Sequence, residues 1–380
     1  MEVYSSGLTL TLVRTALLTF AAVYLLCRRV LGVRLSLAVA AIRVAIPFTY
    51  FAWWYDPDWT HIDGVQYFTG AIRLLEGGYT PLVLTSPPGI EQLQAAADGW
   101  HILYYWWNMV AIELFGAVLY APIFLNVVLS VAVALLFVRL LSPFEFPASY
   151  RRWLFAFVTL HWSVLTWSSI NNVKMYVVIF LTLIALYGAY EVIQSDTVPR
   201  IVFGVGVVAV SSLGLFNVRF YVPAFLFGAV AVWALFNGRS RVRSITLAGA
   251  AVGGTVFLWF GRTSLHRLDP EILAYGFVRI LLTPRPWGTT VHYTYLEPAM
   301  WLHWLTLPAA LVGLWYLQRE SARSTVLLVF LFFALSFYAI FPKIQGVRHR
   351  EWLYLFFAWG LFHFVWRLRS RLTVVRTDRL

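Results

Sequence analysis

The chain has 380 residues, of which 61% are hydrophobic, 18% aromatic and only 12% charged. Soluble domains carry about 25% charged and about 45–50% apolar residues, and even a domain of about 300 residues hides only about 75% of its surface on folding. These values exclude a soluble enzyme, a disordered chain and a fibrous repeat, and they leave a polytopic membrane protein. The formal net charge of +12 is attributed to arginines that anchor helices at the membrane face, so no nucleic-acid partner is expected.

The candidate membrane spans were identified from hydropathy, because a spanning helix needs about 20 mostly apolar residues. Eleven stretches meet this requirement: 8–27, 35–54, 118–140, 153–169, 174–192, 201–216, 220–237, 244–261, 298–317, 324–342 and 351–367. The sequence therefore predicts an all-α polytopic membrane protein with about 11 transmembrane helices, arranged as a single transmembrane domain over residues 1–380.

The arginines predict the orientation of the spans, because cytoplasmic loops carry an excess of basic residues. Alternate loops and the tail hold Arg28, Arg29, Arg34, Arg139, Arg151, Arg152, Arg200, Arg239, Arg241, Arg243, Arg319, Arg323, Arg367, Arg369, Arg371, Arg376 and Arg379. This side is predicted to be cytoplasmic, with the N-terminus outside the cell membrane and the C-terminus inside. The alternation requires that Trp100–Gly116 does not span. Its His101, Asn108 and Glu113, set among aromatic residues, favour a helix lying in the membrane interface.

Two long segments then lie outside the membrane on the extracytoplasmic side, residues 55–117 and 262–297. The first contains the interfacial helices and is acidic, with seven aspartates and glutamates against a single arginine, Arg73. A third, short external loop covers residues 343–350.

The first external loop carries three aspartates close to the membrane, Asp56, Asp58 and Asp63, where apolar surroundings strengthen electrostatic interactions. Apolar residues at helical spacing follow between positions 65 and 75. Asp63 stands at the start of this predicted helix, where it could cap the backbone N–H groups or accept a proton from an incoming hydroxyl. Asp56 and Asp58 could act as a second acid or as ligands of a divalent metal, although their positions on either side of Pro57 are also typical of a plain turn.

A compact basic group on the predicted outer side runs against the positive-inside rule. It consists of Lys343, Arg348, His349 and Arg350. Arginine holds phosphate through a bidentate fork and lysine as a point charge, so the group is predicted to bind phosphate. The alternative is that its side chains extend to lipid headgroups at a helix end. Arg279 and Arg285 add further external positive charge.

Other charged residues and motifs are less informative. Lys174 and Arg219 are external or nearly so, whereas Arg14 and Arg43 fall inside predicted spans, where a charge usually faces a cavity or a partner. The sequence contains no phosphate-binding loop, GxGxxG, HExxH or paired cysteines. It also lacks the matched pair of broken helices that is typical of secondary transporters.

The order of these parts resembles the GT-C superfamily of membrane glycosyltransferases, in particular its family-39-like and aminoarabinose-transferase-like members, which use polyprenyl-phosphate sugars. The stretches that carry the resemblance are His61–Tyr67 followed by Ala71–Gly78, Tyr104–Trp107 through Leu114–Gly116, Trp167–Ile170, and Arg348–Glu351. One departure is that the acidic pair usual in the first loop is Asp63-Gly64 here, so one carboxylate is missing.

The resemblance implies a GT-C-like fold and transfer of a hexosyl or pentosyl group to a glycan, lipid or protein acceptor at the extracytoplasmic face. Asp63 would be the general base, and Arg348 and Arg350 would hold the phosphate with support from Lys343. The remaining substrate-binding candidates are His349, Arg285, Arg279, Tyr67 and His101. The scheme requires no cofactor, and the missing acid leaves metal dependence open.

Three alternatives remain at this point. A polymerase or ligase of lipid-linked oligosaccharides would also need external arginines but would depend less on Asp63. A transporter or flippase for a lipid-linked or anionic solute would be marked by charges inside its spans, for which only Arg14 and Arg43 qualify. The last alternative is a structural membrane protein without catalytic chemistry.

Overall fold

The computed structural model describes residues 7–60, 62–98, 101–141, 146–237, 269–283, 285–287, 291–320, 324–341 and 351–377, and the regular structure in these ranges is helical. The α-helices are α1 (Leu10–Arg28), α2 (Val33–Thr49), α3 (Ile62–Glu76), α4 (Pro87–Ala96), α5 (Ile102–Phe115), α6 (Ala121–Leu140), α7 (Ala148–Thr159), α8 (Trp162–Ile170), α9 (Met175–Gln194), α10 (Val198–Phe216), α11 (Val222–Asn237), α12 (Pro270–Leu281), α13 (Glu297–Glu320), α14 (Thr325–Ile340) and α15 (Tyr354–Thr377). A π-helical turn, Tyr50–Trp54, extends α2, and short 3-10 turns occupy Pro57–Trp59, Pro81–Thr85, Val291–Leu296 and Glu351–Leu353.

Several of these helices are long and apolar enough to cross a membrane, as the composition predicts. In the described ranges there are six, or seven if α7 and α8 form one bent span. The six are Leu10–Arg28, Val33–Trp54, Ala121–Leu140, Met175–Gln194, Val198–Phe216 and Val291–Glu320. The coarse prediction of an all-helical membrane protein is therefore supported, while the count of eleven spans and the GT-C-like fold stay predictions.

Three predicted spans differ from the helices observed. The predicted span 153–169 is not one continuous helix, because α7 and α8 meet at an angle of 44°. The ring of His161 accepts a hydrogen bond from the backbone N–H of Ser163 at 3.3 Å and so begins a new helix. The predicted spans 220–237 and 324–342 correspond to α11 and α14, which have only 16 residues each. The predicted span 244–261 lies outside the described residues.

Helix α6 lies at the centre of the packing. In the apolar span of α6, 83% of the residues are buried, compared with 33% in α1 and 17% in α10. Helices α13 and α15 cross so closely that a Cβ atom at Gly313 would collide with the carbonyl oxygen of Gly360. Around α6 the packed aromatic residues include the fully buried Trp167 and Trp359.

The segment after the π-helical turn folds over one end of this bundle as α3, α4 and α5. With 14 residues, α5 is shorter than the roughly 20 residues that a span needs. It is largely buried against α3 and α6, and its position in the membrane interface stays a prediction. A Cβ atom at Gly70 of α3 would collide with the ring of Tyr105, and this close approach fixes α3 on α5.

The two arginines in predicted spans both have partners. Arg43 is completely buried, and its Nη2 donates hydrogen bonds to the hydroxyls of Ser168, at 2.7 Å, and Ser130. Arg14 donates to the carbonyl oxygen of Phe115 at 3.4 Å. Arg43 therefore joins α2 to α6 and α8, the half-helix that leads toward the site described next.

Candidate functional site

A small, partly open cavity lies where the first turn of α3, the start of α9 and the turn between α10 and α11 meet. Its lining residues are Asp63, Gly64, Tyr67, Trp167, Asn172, Val173, Lys174, Met175 and Arg219. The lining thus combines one carboxylate, two cations and two large aromatic rings. Asp63 and Tyr67 were both predicted as site residues, and the structure brings them together here.

The position of Asp63 follows from the way α3 is fixed to the start of α9. Asp63 is partly exposed in the first turn of α3, and the next residue, Gly64, is buried against Asn172. The side-chain amide of Asn172 donates a hydrogen bond to the carbonyl oxygen of Gly64 at 2.9 Å. A Cβ atom at Gly64 would lie 3.0 Å from the backbone oxygen of Asn172, so glycine permits this close contact.

Asn172 belongs to a buried network of neutral polar side chains. Its amide also donates to Oδ1 of Asn108 at 2.7 Å, and its Oδ1 accepts from the hydroxyl of Tyr104. Asn126 donates to the same hydroxyl at 3.0 Å, and Asn108 donates to the backbone oxygen of Tyr104 at 2.8 Å. Buried networks of this kind rigidify a structure when their members are satisfied. The network therefore joins α5 and α6 to the residues on either side of the cavity.

Lys174 is the residue immediately before α9. Its Nζ donates a hydrogen bond to the hydroxyl of Tyr67 at 3.0 Å and lies 5.5 Å from the centre of the Tyr67 ring. The adjacent start of α9 adds the partial positive charge of a helix N-terminus. Both features favour an anion at this side of the cavity.

Arg219 lies in the turn between α10 and α11 and is only 7% exposed. Its Nη1 donates to the hydroxyls of Tyr338 at 3.1 Å and Tyr221 at 3.2 Å. The indole N–H of Trp352 donates to the Tyr338 hydroxyl at 2.7 Å. The guanidinium is therefore held in place by Tyr221 of the same turn and by Tyr338 of α14, which Trp352 positions in turn. It remains protonated at any physiological pH.

His101 lies beside the cavity and is not part of its lining. Its Nδ1 is 2.8 Å from the carbonyl oxygen of Val218, and its ring meets Tyr67 edge-on with ring centres 6.0 Å apart. Burial, followed by the nearby charges of Lys174 and Arg219, lowers the pKa of His101 from its ordinary value of 6.5 to about 4. The imidazole is therefore neutral at physiological pH.

The other predicted site residues in the described ranges do not line the cavity. Asp56 accepts a hydrogen bond from the N–H of Asp58 at 2.9 Å, which is the turn geometry that their spacing also allowed. The backbone oxygen of Asp58 contacts Nδ1 of His292. Arg279 on α12 and Arg285 are both exposed. In the part of the chain that the structure describes, no group of three or more His, Cys, Asp or Glu side chains could hold a metal ion.

The predicted phosphate-binding group falls outside the described residues: Lys343, Arg348, His349 and Arg350. The cations that the structure places in the cavity are Lys174 and Arg219, which the sequence indicated only as external or nearly so. Two signals pointed to them. Lys174 is one of just two lysines in the chain, and Arg219 follows a span on the predicted outer side, where arginines should be rare. The amide network had no signal in the sequence beyond polar residues in apolar surroundings.

The cavity can support two kinds of chemistry together. A carboxylate at a partly exposed position can accept a proton from a hydroxyl, and a lysine and an arginine can hold an anion such as a phosphate group. The large rings of Tyr67 and Trp167 provide apolar walls beside these charges. Comparisons of the chain with models of protein families, with curated proteins and with solved structures give no match.

Proposed function

We propose that this chain is a membrane glycosyltransferase that moves a sugar from a polyprenyl-phosphate donor to a glycan, lipid or protein acceptor at the extracytoplasmic face. The observation that carries the proposal is that Asp63, Lys174 and Arg219 line one cavity in a helical protein with several apolar spans. A base and a phosphate-binding pair are the two elements that such a transfer needs from the protein.

In the proposed reaction, the carboxylate of Asp63 accepts the proton of the acceptor hydroxyl. The hydroxyl oxygen attacks the anomeric carbon of the sugar in line with the bond to phosphate. That bond breaks, and the polyprenyl phosphate leaves with the electron pair. Lys174 and Arg219 stabilise the charge that develops on the leaving phosphate. A phosphate needs no proton in order to leave, so one carboxylate is sufficient and no metal is required.

The surroundings of the cavity are consistent with a lipid-linked donor. The cations lie at the ends of α9 and α10, two of the helices that are long and apolar enough to span a membrane. A phosphate held at that level would allow a polyprenyl tail to stay in the hydrocarbon layer. Arg348, Arg350 and Lys343 stay candidates for additional phosphate contacts, with His349 beside them.

A deletion strain provides the first test. Surface glycans and glycolipids would be analysed by mass spectrometry after complementation with wild type, Asp63→Asn, Lys174→Gln or Glu76→Gln. Glu76 is the matched control, because it is an exposed carboxylate at the other end of the same helix, α3. We expect one sugar to be lost in the deletion strain and restored only by wild type and by Glu76→Gln.

The expected loss for Asp63→Asn is about 10²- to 10⁴-fold in the rate of transfer, the usual contribution of a general base, with unchanged protein abundance in the membrane. Full activity of Asp63→Asn would show that Asp63 is only a helix cap and would overturn the mechanism. Glycans shortened to single repeat units would favour the polymerase or ligase. Unchanged glycans in the deletion strain would remove glycan chemistry from consideration and direct attention to transport.

A further inference from the structure

His101 joins the two cation-bearing segments of the cavity. Its backbone is in the left-handed region, with φ of 63°, where residues other than glycine are uncommon and asparagine, aspartate and histidine are the most frequent of them. A carbonyl oxygen can only accept a hydrogen bond, so Nδ1 carries the proton that is donated to Val218. In the neutral ring, Nε2 therefore has a lone pair and can accept a proton.

The groups that act on this ring come from three other parts of the structure. Lys174 and Arg219 disfavour a proton on the ring, whereas Asp63 favours one. Tyr67 packs against the ring and accepts the hydrogen bond from Lys174. Burial has the strongest influence on the pKa of the ring, followed by Lys174, then by the hydrogen bond to Val218, which raises the pKa, and then by Arg219.

We infer that the binding of a phosphate anion to Lys174 and Arg219 is coupled to the uptake of one proton by Nε2 of His101. This inference rests on the proposed function, since it takes the same two residues as the anion site. An anion at Lys174 and Arg219 offsets the positive charge that disfavours protonation of the ring. If the bound anion makes the ring easier to protonate, then by linkage the protonated ring makes the anion bind more tightly. The affinity for the anion therefore rises as the pH falls.

The direction and size of the effect follow from the two protonation states. A pKa that is raised in the complex means that affinity increases as the pH falls toward that pKa. A bound anion offsets the charges of Lys174 and Arg219 but not the burial of the ring, so it raises the pKa part of the way from about 4 toward the ordinary 6.5. A complete return to 6.5 sets the upper bound, a tightening of about tenfold between about pH 7.5 and about pH 5.5, with at most about one proton taken up for each anion bound at the lower pH.

The test is isothermal titration calorimetry of the purified full chain in detergent with farnesyl methyl phosphate, a phosphodiester whose single charge is fixed over this pH range. Titrations in two buffers of different ionisation enthalpy count the protons taken up. The variant His101→Asn is the informative one, because an asparagine amide can donate to Val218 and asparagine tolerates the left-handed backbone. Asp63→Asn serves as the control for titration of the neighbouring carboxylate.

We expect wild type and Asp63→Asn to show the increase in affinity and the proton uptake, and His101→Asn to show neither. An affinity of wild type that changes less than about twofold, or a pH effect retained in His101→Asn, would overturn the coupling while leaving the anion site standing. Absence of binding at both pH values would overturn the anion site and the coupling together. Where His101→Asn does not fold, the absence of proton uptake by wild type at the lower pH still overturns the coupling, and uptake that persists in Asp63→Asn supports it.

Discussion

Replacing Asn172 by alanine tests whether the amide network holds the candidate site together. The side chain is 4% exposed and makes three hydrogen bonds, to Gly64, Asn108 and Tyr104. Each contributes about 1 kcal/mol net, and a buried partner left without a bond costs about 1–3 kcal/mol. The expected destabilisation is therefore about 3–5 kcal/mol. For a chain of this length that is a fall in Tm of roughly 5 °C.

The measurement is thermal unfolding of the purified protein in detergent, with Asn217→Ala as the matched control. Asn217 makes one side-chain hydrogen bond, to the carbonyl oxygen of Leu213 within its own helix, at 2.8 Å, so its replacement should cost about 1 kcal/mol or less. Asn172→Asp should destabilise at least as much as the alanine variant, because a carboxylate would face the oxygens of Gly64 and Asn108. Equal Tm values for the Asn172 and Asn217 alanine variants would refute the view that the network supports the site.

Two further predictions concern glycines at close contacts. Gly64→Ala places a Cβ atom 3.0 Å from the backbone oxygen of Asn172, so the start of α3 should shift by a few tenths of an ångström. The free energy of unfolding should fall by about 1–3 kcal/mol, and the folded variant should carry out the proposed transfer more slowly. Gly313→Ala forces the methyl group against Gly360 and should lower Tm strongly. The control is Gly206→Ala in α10, where the Cβ would meet no atom within 4 Å. It should leave the stability unchanged or increase the free energy of unfolding by up to about 1 kcal/mol, because alanine has a higher helix propensity than glycine. A smaller loss for Gly313→Ala than for Gly64→Ala would contradict the packing argument.

The parts of the structure that could be predicted are those determined by local sequence. Helix α3 was expected from its apolar spacing, and it ends at Glu76, with Gly78 in the left-handed region at φ of 84°. Asp63 falls in its first turn, as predicted. These features depend on residues within one or two helical turns of each other, so the sequence pattern contains them directly.

The parts that could not be predicted depend on contacts between distant residues. The break at His161 interrupts an apolar stretch that hydropathy alone reads as continuous, and the half-helix after it is held by the bond between Ser168 and Arg43, 125 positions apart. Lys174 meets Tyr67 across 107 positions. Such pairings follow from the tertiary arrangement of the helices, and no spacing in a single sequence shows them.

Neutral polar groups hold the charged residues of the candidate site in place. Amides position the backbone on either side of the cavity, and hydroxyls of tyrosines such as Tyr67 and Tyr338 accept hydrogen bonds from the two cations. These two hydroxyls orient Lys174 and Arg219 without themselves placing a negative charge beside the cations. A carboxylate in place of either tyrosine would orient the cation as well but would compete with phosphate for it. Low dielectric surroundings would make that competition severe, so phenol hydroxyls are the better support for the proposed anion site.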